Sequence, residues 1–248
     1  MKKLLFLLIT LLSIQLVSSQ QLDQKTLTRL KVKLKRVQKA YDKSNYQDAL
    51  DLVKEIEKIT SKGSFPDVQN WKVKAMLGMG YYEDAKKELD ILYGLNPSDE
   101  IIDEMADYES KFEVEDVFKE IIKLIETSCL IGVGTMEETS NMYVSNIDFT
   151  NFTFNHNYTT NKNRNVVIFV DFKNVSPIKT HLSNILCFNK KIKGTFHGRK
   201  FNFELGLVGL CEKENSVAWK FGGDCDDKNR KGKLRRLANY FYKLYKNQ

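Results

Sequence analysis

The sequence predicts an α+β chain: an all-α N-terminal part built of helical hairpins, then a mainly antiparallel β domain closed by a C-terminal helix. Three observations carry that expectation. Apolar residues recur every three or four positions from about residue 25 to residue 125, the period of an amphipathic helix. From about residue 141 the period shortens to near two, the period of a half-buried strand. The helical period then returns from about residue 227 to 246. The expected division is residues 1–20 as a signal peptide, 21–130 as the helical domain and 131–248 as the β-rich domain with its helix.

The first 20 residues read as an export signal. Lys2 and Lys3 form a basic start, Leu4 to Leu12 is apolar except for Thr10, and Ser13 to Ser19 turns small and polar. Val17-Ser18-Ser19 is the expected cleavage site. The apolar run is about half of what a membrane span needs. An exported chain would be secreted, periplasmic or held in a secretory lumen.

Residues 25–62 read as one helical hairpin. Leu27, Leu30, Leu34, Val37 and Tyr41 form the first stripe, and Ala49, Leu52, Val53, Ile56 and Ile59 the second. The break between them is at 42–45. Tyr46-Gln-Asp-Ala49 then recurs as Tyr82-Glu-Asp-Ala85, 36 residues later. Residues 67–79 and 82–94 are the expected helices of this second hairpin, with Gly80 making its turn.

Over about residues 25–97 the chain resembles the tetratricopeptide repeat family, whose period is 34. Tyr82, Ala85 and Pro97 stand at the family's spacing, with Gly80 in the turn. The small Ala lets two helices approach closely, and Pro97 stops the second helix. Repeat one has Ser44 or Asn45 where the turn glycine belongs, and Trp71 lies about two residues nearer Ala85 than the family places a tryptophan. A plain helical bundle is the competing reading. Residues 98–128 continue helical, with Ser98 as N-cap, and cap the array.

In the C-terminal half, 143–154 reads as one strand whose parity flips near Thr150 and Asn151, followed by a polar loop over 155–165. Val166–Phe172 reads as a central strand, and 184–188, 191–196, 201–207 and 216–221 as further strands. The last helix spans about 227–246, capped by Asp224 or Asp226. This order resembles a pleckstrin-homology-like barrel with a helix plugging one end. A generic antiparallel sheet with one packed helix is the alternative.

Cys129, Cys187, Cys211 and Cys225 permit three pairings. A Cys211–Cys225 bridge would close a loop worth roughly 3 kcal/mol; four buried thiols is the other reading. Asn151, Asn157 and Asn174 each open an Asn-x-Ser/Thr triplet, a glycan acceptor in a eukaryotic secretory protein and without meaning in a bacterium.

No catalytic or metal motif stands out, and no cofactor is expected. Gly132 and Gly134 lack the third glycine of a dinucleotide loop. His156, His181 and His197 fall in separate predicted loops and read as surface residues. Asp224-Cys-Asp-Asp227 lacks the regular spacing of a calcium loop.

The expected function is therefore binding rather than catalysis. A peptide or protein partner would lie on the repeat's concave face, against first-helix residues such as Lys33, Arg36 and Lys74. The alternative is an anionic membrane surface or ligand, met by the β domain and its basic helix through Lys231, Arg235 and Arg236. That helix has eight basic residues and no acid from Lys228 to Lys246. Export argues against nucleic acid.

Overall fold

The computed structural model describes residues 23–60, 65–127, 139–160, 163, 165–176, 185–188, 192–196, 199–203, 217–220 and 232–247. The expected signal peptide, Cys129, Gly132, Gly134, His181, His197, Cys211, Asp224–Asp227 and Lys231 lie outside the described residues. So does the side chain of Cys187.

Six helices come first among the described residues: α1 (Gln24–Asp42), α2 (Tyr46–Ile59), α3 (Pro66–Met79), α4 (Tyr82–Tyr93), α5 (Asp99–Ser110) and α6 (Val114–Thr127). Asp23 caps α1, accepting from Thr26 N at 2.9 Å. Pro66 opens α3, where its missing N–H costs nothing. Ser98 holds the N-cap position of α5 but makes no side-chain capping bond.

The two hairpins turn in the same way, 36 residues apart. At the first turn Ser44 N donates to Tyr41 O and Asn45 N to Ala40 O, at 2.7 and 2.9 Å. At the second, Gly80 N donates to Leu77 O and Tyr81 N to Met76 O, at 3.0 and 2.9 Å. Both are helix-terminating motifs that need a left-handed residue, here Ser44 at φ 59° and Gly80 at φ 79°. Ser44, not Asn45, therefore stands where glycine does in the second hairpin. Ala49 and Ala85 are both fully buried, as close helix packing requires. Helix α1 touches α3, and α3 touches α5, so alternate helices stack as in a repeat array. Between α2 and α3, Tyr46 packs against Gly78, where an added Cβ would sit 2.5 Å from the ring.

The β region follows: β1 (Thr139–Asp148), β2 (Thr153–Thr160), β3 (Asn165–Asp171), β4 (Val175–Ser176), β5 (Ile185–Phe188), β6 (Ile192–Phe196), β7 (Arg199–Phe203) and β8 (Val217–Lys220). The expected single strand over 143–154 is a hairpin. Asp148 Oδ1 accepts from Thr150 N and Asn151 N at 3.0 and 2.9 Å, and Phe152 turns through φ 53°. The parity flip in the sequence marks this reversal. The expected polar loop over 155–165 is mostly strand β2, paired along its length with β3.

All the pairings are antiparallel. The strands form a five-stranded sheet, β1-β2-β3-β6-β7, and a three-stranded sheet, β4-β5-β8. The pleckstrin-homology-like barrel is thus corrected: both sheets are open among the described residues, because β4 leaves β3 through a short 3-10 turn (Phe172–Asn174) and joins a separate sheet. Helix α7 (Lys233–Lys246) plugs no barrel. It touches α6, α4, β4 and β5, and so lies between the helical array and the smaller sheet.

One hydrophobic core runs from the second hairpin through α5 and α6 into the sheet and α7. A smaller one fills the first hairpin. The larger core is centred on Phe118 of α6, which is wholly buried. Its ring meets Phe152 at 5.4 Å, Phe172 at 5.6 Å, Phe241 at 5.9 Å, Phe149 at 6.0 Å and Phe154 at 6.4 Å. Phe118→Ala is expected to cost about 3–5 kcal/mol in urea unfolding. Tyr143→Ala, at a ring 58% exposed, should stay within about 0.5 kcal/mol.

His156 corrects another expectation. It is no surface residue but fully buried on β2, opposite Val144 of β1 and Ile168 of β3. Burial lowers its pKa from 6.5 to about 4. The unfolded chain therefore takes up a proton below pH 6.5 that the folded chain refuses until about pH 4. This contribution is full above pH 6.5 and is lost as pH falls toward 4, about 3 kcal/mol in all. In unfolding titrations His156→Leu should flatten the stability profile between pH 6.5 and 4.5. An unchanged slope would contradict that assignment.

Candidate partner-binding surfaces

Three first helices, α1, α3 and α5, place a mixed aromatic and polar strip along one side of the array. Tyr41 of α1 meets Trp71 of α3 edge-on at 5.5 Å, and Tyr46 at 5.2 Å. Lys74, one turn on from Trp71, sets its ammonium 4.5 Å from the Trp71 ring centre. The same ammonium donates to Glu104 Oε1 of α5 at 2.6 Å. Glu104 Oε2 accepts from Asn70 Nδ2 at 2.6 Å and from Tyr108 OH at 3.2 Å. Tyr108 OH also donates to Asn70 Oδ1 at 2.8 Å.

The network fixes the charge states. Burial works against the Glu104 carboxylate, but the hydrogen bonds from Lys74 and Asn70 outweigh it and hold its pKa below the ordinary value. Burial, and then the Glu104 charge, push the Tyr108 phenol up. Tyr41 is raised too, by burial first and then by Tyr46 and the carboxylates of Glu104 and Glu120. The strip thus brings together the Glu104 carboxylate, the Lys74 ammonium and the partly buried indole of Trp71.

The three first-helix cations named from the sequence are not brought together. Lys33 donates to Glu55 of α2 at 2.5 Å, with its side chain 22% exposed. Arg36 is exposed and acts on the same Glu55 carboxylate through its charge. Lys74 lies on the strip, tied to Glu104. The sequence reading placed Tyr41 in the apolar stripe of the first helix and did not single out Glu104 or the buried Asn70 and Tyr108. A usable signal was present: Asn70 and Lys74, and Glu104 and Tyr108, are pairs at i, i+4 on helices that stack.

Of the described basic residues of α7, Lys233 is buried, Arg235 and Arg236 are partly buried, and Lys243 and Lys246 are exposed. Lys233 is buried and donates to Glu120 at 2.7 Å. Arg236 donates through Nε and Nη2 to the Met79 carbonyl, at 2.9 and 2.5 Å, and lies 4.3 Å from the Tyr81 ring centre. Lys243 pairs with Glu83. A cation at the C-terminal end of α3 also suits that helix's dipole. Gly80 allows the approach, since a Cβ there would lie 2.9 Å from Lys233 Cγ. Arg235 is half-buried. The seam between α4 and α7 leaves a groove of about 210 Å³ lined by residues including Tyr81, Glu83, Arg236, Asn239 and Tyr240.

Of the sequons, Asn151 is exposed, Asn157 buried and Asn174 half-buried. Among the described residues no three His, Cys, Asp or Glu side chains converge on a point that could hold a metal. No described helix is long and apolar enough to cross a membrane.

Arg236→Ala leaves the partly buried Met79 carbonyl without its guanidinium donor and should cost about 1–3 kcal/mol in chemical unfolding. Arg236→Lys keeps the charge but loses the fork, and should recover less than half of that. Full recovery by lysine would reduce the contact to simple charge attraction. The chain matches no known protein-family model, no curated protein and no solved structure.

Proposed function

We propose that the chain is an exported, non-enzymatic binding or scaffold protein. Its helical part works as a tetratricopeptide-like array, holding a peptide or protein partner along α1, α3 and α5. The observation that supports this most is the strip joining Tyr41, Trp71, Lys74 and Glu104 across three stacked helices. Half-buried aromatics beside paired charges are pre-ordered, so a partner loses little side-chain entropy on contact. Trp and Tyr are also the residues that dominate interface energetics. The opposite charges of Lys74 and Glu104 would fix the direction of an extended peptide.

A photoreactive phenylalanine analogue at Trp71, with a matched one at the exposed Ile91 of α4, tests the surface in the native compartment. Crosslinks should form from position 71 and not from 91, and should fall at least tenfold when Lys74→Glu or Glu104→Lys is added. Equal yields at both positions, or yields blind to both reversals in a folded protein, would remove the strip as the binding site.

A further inference from the structure

The three sequons differ in what the folded chain leaves available at the amide nitrogen that receives a sugar. Asn151 stands at the tip of the β1–β2 hairpin, exposed. Its Nδ2 donates to Asp148 Oδ2 at 2.8 Å. A primary amide has two hydrogens, so replacing one with a sugar leaves the other for that bond. The next residue, Phe152, is buried against Phe118 at 5.4 Å, so the tip is anchored while Asn151 remains outside.

Asn157 is the opposite case. Only 8% of it is exposed. Its Nδ2 donates to Ser145 Oγ at 2.8 Å and lies 3.3 Å from both Tyr143 O and Asn155 O. These contacts tie Asn157 to the regularly paired stretch of β1 from Tyr143 to Ser145, which lies between two register shifts. A sugar on that nitrogen would part the two strands and strand buried polar groups. Asn174 is intermediate: half-buried, with Nδ2 3.5 Å from Asp171 O and the sequon's Ser176 only 1% exposed.

We propose that Asn151 is a site of N-linked glycosylation and that Asn157 stays unmodified. The proposal rests on the reading of export, since only a chain in the secretory lumen meets the transferase. The donor is an oligosaccharide carried on a lipid pyrophosphate. Asn151 Nδ2 attacks the anomeric carbon, and an N–C bond replaces the C–O bond. The lipid pyrophosphate leaves with the electron pair, and the amide proton passes to base. The product puts a hydrophilic oligosaccharide at the hairpin tip, above the phenylalanine cluster.

The full chain, with its own N-terminus, is expressed in a eukaryotic secretory host and recovered from the medium. Enzymatic deglycosylation in heavy-oxygen water, followed by peptide mass spectrometry, marks each occupied Asn. The mark is expected at Asn151 in most molecules and at Asn157 in none, and N151Q should lose one step of glycosidase-sensitive mobility. Secreted protein bare at Asn151, or marked at Asn157, overturns the proposal. Protein kept in the cytosol overturns the export reading, and this site with it, and is recognised by its absence from the medium. The site map of the unmutated chain decides whether or not N151Q is secreted.

Discussion

Phe118 is the point on which the two halves of the molecule depend. It comes from α6, the last helix of the array, yet its neighbours are Phe149, Phe152 and Phe154 of the first β hairpin, Phe172 beyond β3, and Phe241 of α7. Edge-to-face ring pairs add to plain area burial, and they fix angles as well as distances. Phe241 repeats the pattern, meeting Phe172 at 5.1 Å and Phe152 at 5.2 Å. The helices therefore do not hang from the sheet on a tether. Helix ends at Thr127 and strand begins at Thr139, yet one core takes in residues from both sides.

Charge plays a second, narrower part. In α7 Lys233, Arg236 and Lys243 are each matched to an acceptor on the array: Glu120, the Met79 carbonyl and Glu83. Lys72 does the same within the array, bridging Glu57 of α2 and Glu88 of α4 at 2.9 and 3.0 Å. Burial disfavours the Lys72 charge, but its two carboxylate partners outweigh that and raise its pKa. Such pairs contribute little net stability when exposed, and more to register when partly buried. The basic helix is thus first an internal strut.

The strip on the first helices has a different character. Its groups hold one another in place and leave the Tyr41 and Trp71 rings partly open. The buried His156 lies on the sheet's core face, away from this strip, and its neutrality belongs to the fold.

Local pattern was enough for the helices of the N-terminal part and for their recurring turn, but not for 155–160, which reads as loop and folds as strand. The Tyr-x-x-Ala pair, the period and the turn positions are encoded within a few residues, and the backbone bonds at Ser44 and Gly80 reproduce the offset of 36. Short-range chemistry also held the sign of the β hairpin, although the flip at Thr150 and Asn151 was read as a bend and not as a reversal. What no stretch of sequence contained was the identity of distant partners. Whether Lys74 meets Glu104 or solvent, whether Arg236 reaches a lipid or the carbonyl of Met79, and whether His156 lies inside or out depend on which elements are stacked together. The amphipathic pattern states that a face must be covered. Only the packed chain, through steric fit around Phe118 and the open path of the sheets, decides by what.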